Sequence, residues 1–279
     1  MPSALASTSS DETRTTRQSR PQLNPIEQRF AELRSVGRRA LVPYITAGFP
    51  DTERTIELLR GLEAAGADVI ELGLPFSDPM ADGPIIQASS QKALEQGMNF
   101  DRLLTLVERA GVKVPLVLFS YLNPVIAAGN DALVRAASAG FSGVLVTDLP
   151  VGSDPTREEW VGSAPLAFIR LVAPTTPQER MREIAAHGSG FVYLISRLGV
   201  TGVRDDLPVE LPATVQRLRE ASTLPVCVGF GVSRPEQAAS VARIADGVVV
   251  GSAIVRASGE SVDAAVTLAA SLRAAIDAS

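Results

Sequence analysis

"AAGADVIELG", residues 64–73, packs three signals into ten positions: the last turn of an amphipathic segment, a glycine, and a run of core-type residues interrupted by one glutamate. Upstream of it Ile56, Leu59 and Leu62 recur on one helical face, Asp51 stands where a helix needs an N-terminal cap, and Gly66 stands where the helix must stop. The stretch therefore reads as helix, tight turn, buried strand. The same unit returns as "SAGFSGVLVTD" (138–148), "AHGSGFVYLIS" (186–196) and "IADGVVVGS" (244–252). A helix end that runs repeatedly into a buried strand is the pattern of parallel strands joined by crossover helices.

Extended along the chain, the pattern predicts strands at 41–47, 68–74, 114–120, 143–149, 166–172, 191–197, 224–230 and 247–253, with further helices starting near Thr176, Pro212 and Ser233. Eight such units in roughly 240 residues fit a single closed (β/α)8 TIM barrel. Periodicity alone leaves an open doubly wound sheet as the alternative. "PIEQRFAELRSVG" (25–37) adds an N-terminal helix expected to cover the barrel bottom. Residues 1–24, rich in Ser, Thr, Arg and Gln and without periodicity, read as a disordered tail, which leaves 25–279 as the catalytic domain. The tail's Arg and Ser content loosely suggests a transit peptide, against which Asp11 and Glu12 count.

Composition narrows the function. With 46% hydrophobic residues in 279 the chain can bury a large core, and its net charge of −5 without a basic cluster argues against nucleic acid and anionic membranes as partners. No apolar run reaches the roughly 18 residues of a spanning helix, and no signal-peptide core follows Met1, so a cytoplasmic location is expected. The single cysteine, Cys227, sits in the apolar "LPVCVGFG" (224–231) and reads as a small core residue.

In barrels of this kind function gathers at the C-terminal ends of the strands. Lys92 lies in a helical stretch and Lys113 ahead of a strand, so no amine is placed for a Schiff base. His187, the only histidine, ends a helix on the opposite face, which disfavours histidine-held metal. Acid–base work then falls to carboxylates and tyrosines. Glu71, flanked by Ile70 and Leu72, is costly to bury as an anion; it is either a general acid with a raised pKa or a structural glutamate bonded to backbone or arginine. Asp82 and Asp78, in "SDPMADGP" (77–84), each have a turn explanation, and Asp148 is open between a site role, a cap and a loop hydrogen bond. Glycines in "GFGVS" (229–233) and "VGSAIV" (250–255) follow strands seven and eight, where barrels often hold phosphate on backbone N–H groups and a helix N-terminus. Gly202, in the loop after strand six, could add another donor if that loop closes as a lid.

The segments "PYITAGFPD" (43–51), "ELGLPFSDPMADGPIIQ" (71–87), "YLISRLGVTG" (193–202), "GFGVSRPEQA" (229–238) and "GSAIV" (251–255) closely resemble the tryptophan synthase alpha subunit family, in family order over about residues 25–277. The resemblance implies cofactor-free retro-aldol cleavage of indole-3-glycerol phosphate to indole and glyceraldehyde 3-phosphate. It also implies roles. Glu71 would protonate indole C3 and assist removal of the side-chain hydroxyl proton, Asp82 would accept the indole N–H, and Tyr193 would stand beside the glutamate. Thr201 would hydrogen-bond the loop aspartate on closure; Gly202, Gly231, Gly251 and Ser252 would bind phosphate; Tyr44 and Phe119 would line the indole pocket. It further implies a beta-subunit partner carrying pyridoxal phosphate in an alpha2beta2 heterotetramer, met by the loop after strand two and by "YLNPV" (121–125). Met80 departs from the leucine common in the family, a volume-conserving change.

Three other readings remain. Another phosphate-binding barrel enzyme, such as indole-glycerol-phosphate synthase or a sugar-phosphate epimerase, would want a strand-end lysine or metal-binding histidines. A stand-alone lyase releasing free indole would use the same residues. A non-catalytic regulatory subunit would keep barrel and interface without turnover.

Overall fold

The computed structural model describes residues 23–195, 208–229 and 231–279. Its strands are β1 (Ala40–Thr46), β2 (Ile70–Gly73), β3 (Leu116–Ser120), β4 (Phe141–Val146), β5 (Ala167–Val172), β6 (Val192–Ile195), β7 (Val226–Gly229) and β8 (Gly247–Val250). All pair in parallel in chain order, and β8 returns to β1 through Ala40↔Gly247 and Leu41↔Val248, which closes the ring. The open-sheet alternative is thereby excluded. Around the ring run α1 (Pro25–Ser35), α2 (Thr52–Ala64), α3 (Pro84–Glu95), α4 (Phe100–Ala110), α5 (Leu122–Ala127), α6 (Ala132–Ala139), α7 (Pro155–Gly162), α8 (Gln178–Ala186), α9 (Leu211–Ala221), α10 (Pro235–Ala242), α11 (Ser252–Glu260) and α12 (Val262–Asp277).

Local chemistry sets the element ends. Asp51 accepts the N–H of Arg54 and starts α2, while Gly66, at φ +90°, lets the chain leave it for β2. The strands are shorter than the apolar runs. β2 begins at Ile70, and β8 stops at Val250 because Ser252 already opens α11.

Two apolar layers form. One lies between strands and helices; the other fills the barrel with Val42, Val69, Val117, Leu145, Ile169, Phe191, Cys227 and Val249. The second layer continues downward into α1, whose Ile26 is fully buried and whose Phe30 ring lies 5.6 Å from that of Phe191. Asn24 fixes this plug by accepting the Ile26 N–H and donating to the Ser142 carbonyl at 2.8 Å. Gly143 makes room for it, since a Cβ there would stand 2.6 Å from Ile26 Cδ1.

Below β2, Asp68 is clamped. One carboxylate oxygen takes Nε and Nη2 of Arg29 at 3.1 and 2.6 Å; the other takes Arg273 Nη1 and the Leu41 N–H, both at 2.8 Å. This joins α1, β1 and α12 at the bottom of the barrel. Such a buried pair is retained only when every charge finds partners, as here.

Candidate active site

Glu71 stands in β2 between Tyr44 of β1 and Val117 of β3 in register, and only 1% of it is exposed. Its Oε1 is buried without a hydrogen-bond partner among the described residues. Burial alone pushes its carboxyl up to about 8, so at neutral pH it is mainly the uncharged acid. Among the described residues no arginine or backbone amide pairs that oxygen, as the structural reading would require.

Tyr44 and Phe119 meet edge to face beside it, ring centroids 5.1 Å apart. The Tyr44 phenol lies over Gly73, where a Cβ would stand 2.1 Å from its oxygen; the Tyr193 phenol lies over Gly229 in the same way, at 2.4 Å. Glycines on strand ends thus create the slots that the tyrosines occupy. Both phenols are pushed up by burial first and then by neighbouring carboxylates, so they are donors and not bases. Of the predicted pocket residues, Glu71, Tyr44, Phe119 and Tyr193 come from strands β1, β2, β3 and β6.

Asp82 arrives from the loop after β2. The loop folds back through an Asp82 N–H bond to the Pro79 carbonyl and is tied to α3 by Gln87, whose amide donates to the Asp82 carbonyl at 2.9 Å. The side chain is buried, and its Oδ2 accepts the Tyr121 hydroxyl at 3.1 Å. Burial raises this carboxyl to about 6, with the Tyr121 hydrogen bond pulling the other way. Two carboxyls with separated pKa values can act as acid and acceptor at one pH.

Tyr121 is a site residue that sequence reasoning missed. It immediately follows β3, accepts the Ala81 N–H at 2.9 Å while donating to Asp82, and packs its ring 5.2 Å from Phe76. Its place one residue past a barrel strand was the available signal. Asp78, by contrast, lies exposed in the turn, bonded to the Ser77 hydroxyl. The Asp148 Oδ1 accepts the N–H of Leu122, the first residue of α5, at 2.7 Å.

The lysines and the histidine are placed as follows: Lys92 on α3 over the Phe49 ring, Lys113 in the turn before β3, and His187 at the end of α8 against the Glu183 carbonyl. Cys227 is buried in the inner layer.

After β7, Gly231 takes φ +95°, a conformation that favours glycine. After β8, Gly251 precedes α11 with no side chain among the described residues capping it, and the first-turn N–H groups, beginning at Ser252, can face an anion. Gly251 also lies against Tyr44, a Cβ there falling 3.6 Å from the tyrosine Cβ. The open helix end and the aromatic pocket are therefore neighbours. Thr201 and Gly202 lie outside the described residues.

A family model described as tryptophan synthase alpha chain matches residues 30–277. The tryptophan synthase alpha chain of Phenylobacterium zucineum is 48% identical over 242 residues, covering 85% of this chain and 87% of that one; that of Geotalea daltonii is 47% identical over 234 residues, covering 83% and 89%. The crystal structure of the alpha subunit from Legionella pneumophila superposes with a TM-score of 0.84 at 36% identity, covering 92% of this chain and all of that one. A structure of tryptophan synthase from Mycobacterium tuberculosis gives 0.84 at 35% identity, covering 91% and 99%.

Proposed function

The chain belongs to the tryptophan synthase alpha chain family, a carbon–carbon lyase that cleaves indole-3-glycerol phosphate to indole and glyceraldehyde 3-phosphate, and from that premise we propose that Glu71 and Asp82 divide its chemistry. The observation that carries the assignment is the buried Glu71 carboxyl in the barrel mouth, one oxygen of which has no partner among the described residues.

Glu71, held as the neutral acid, delivers its proton to indole C3. Asp82, ionised above about 6, accepts the indole N–H and stabilises the positive charge that this protonation creates on the ring. The C3 to side-chain bond then breaks, its electrons returning to the ring, and the proton of the adjacent hydroxyl passes to the Glu71 carboxylate as the aldehyde forms. The glutamate ends as it began, protonated. Tyr193 and the Tyr44–Phe119 pair enclose the indole, Gly231, Gly251 and Ser252, with Gly202 of the loop after β6, hold the phosphate, and Thr201 of that loop hydrogen-bonds the loop aspartate on closure.

We also assign residues 25–279 to the catalytic domain and 1–24 to a tail outside it. The partner is a beta subunit, in an alpha2beta2 heterotetramer, which carries the pyridoxal phosphate. Met80, 83% exposed in the loop after β2, and the adjacent α5 supply the surface for it. A cytoplasmic location fits a chain in which no helix among the described residues is long and apolar enough to cross a membrane.

The test is indole release by the full chain, alone and with a matching beta subunit, for the parent and Glu71→Gln. Turnover should fall by about 10³-fold in the variant with the fold intact; retained turnover would sink the assignment. Fast release by the parent without any partner would favour an independent indole producer.

A further inference from the structure

Asp148, just past the C-terminal end of β4, is a carboxylate that the mechanism leaves unused. It lies two residues beyond β4, and its Oδ1 receives the N–H of Leu122 at 2.7 Å. Leu122 is the first residue of α5, a helix whose own N-cap position, Tyr121, supplies no side-chain cap. The amides of a first helical turn have no partner within the helix. Asp148 therefore caps α5 from the neighbouring strand end.

The residue that this cap immobilises is Tyr121, directly before Leu122. On its other side Tyr121 is held by the Ser120 hydroxyl, which donates to its carbonyl at 2.8 Å. Its hydroxyl reaches Asp82 Oδ2 at 3.1 Å and the Ala81 N–H at 2.9 Å. One connected path of hydrogen bonds and backbone thus runs from the end of β4, across the start of α5, to the carboxylate in the loop after β2. Asp148 itself is solvent-exposed, so its carboxylate is not needed to fill the core.

We propose that Asp148 is a positioning residue for the lyase reaction: by capping α5 it fixes Tyr121, and through Tyr121 it holds Asp82 in the orientation that meets the indole N–H. The inference rests on the assignment of Asp82 above. A loosened acceptor lowers the rate of the chemical step and leaves phosphate and ring binding largely untouched.

The experiment compares steady-state indole release by the full chain for Asp148→Ala, Asp148→Asn, Tyr121→Phe, the Asp148→Ala/Tyr121→Phe double variant and Asp82→Asn. Asp148→Ala should lose about tenfold in kcat with KM within about twofold. Asp148→Asn, whose amide oxygen still accepts the Leu122 N–H, should recover most of that loss. In the Tyr121→Phe background, Asp148→Ala should cost less than about twofold more, because the path is already cut. Parental kcat in Asp148→Ala, an Asn variant as poor as the alanine, or losses that multiply in the double variant would each overturn the proposal. Asp82→Asn separates the two readings: full turnover there removes the role of Asp82, whereas a loss there beside a normal Asp148→Ala removes only that of Asp148.

Discussion

Asp68, two residues ahead of β2, and Glu71, the second residue of that strand, stand three residues apart, each with 1% of its surface exposed, and their surroundings are opposites. Asp68, at the closed end, is met by two guanidinium groups and a backbone amide. Glu71, at the open end, has a buried oxygen that nothing meets among the described residues. A carboxylate that holds a fold together is supplied with its partners by that fold. One that must give and take a proton is denied them, so that its charged form stays costly.

The sharpest break of this contrast is to replace both carboxyls by amides. Asp68→Asn should destabilise the protein by about 4 kcal/mol in chemical denaturation, because it leaves the Arg29 and Arg273 charges without their carboxylate. Glu71→Gln should do the reverse. A folded-state value near 8 above an ordinary 4.5 means that the parent binds more protons when folded, so its stability falls as pH rises between these values. The glutamine variant escapes that fall: no more stable than the parent below pH 4.5, it should gain on the order of 3 kcal/mol at pH 7. Equal signs for the two amides would erase the distinction between the two carboxyls.

Gly73→Ala sharpens it at the pocket wall. The new methyl group meets the Tyr44 hydroxyl, and a cost of about 2 kcal/mol with reduced indole release is expected. A smaller effect lies in the pH profile of kcat/KM, which should be bell-shaped. Asp82 must be ionised, so the rate falls below about 6; Glu71 must be protonated, so it falls above about 8. One pH unit outside either limb should cost about tenfold. Smallest of all, Asp78→Ala in the exposed turn should change stability by less than about 0.5 kcal/mol and leave turnover alone.

Much of this was legible in the chain because it rests on short-range signals. The helix–glycine–strand unit repeats within ten residues, and a glutamate among Ile70 and Leu72 announces its cost where it stands. Among the described residues, strand ends are overdrawn by one to three residues at most boundaries, since an apolar run continues past the last ladder bond into the turn. Tyr121 was invisible for a different reason: its meaning lies in a carboxylate 39 residues earlier in the chain, and no local pattern records that meeting. The Asp148 bond spans 26 residues and was open among three readings for the same cause. Asp82 had a turn explanation of its own and became a site residue by family resemblance, to which the structure adds its burial and its tyrosine partner.

The plug at the barrel's lower end has a consequence for traffic. With Ile26 seated in the space that Gly143 leaves and Phe30 packed at a tilt against Phe191, the vessel has a floor. Traffic to and from Glu71 and Asp82 is therefore shut off at that end, and it belongs to the face where the strands finish.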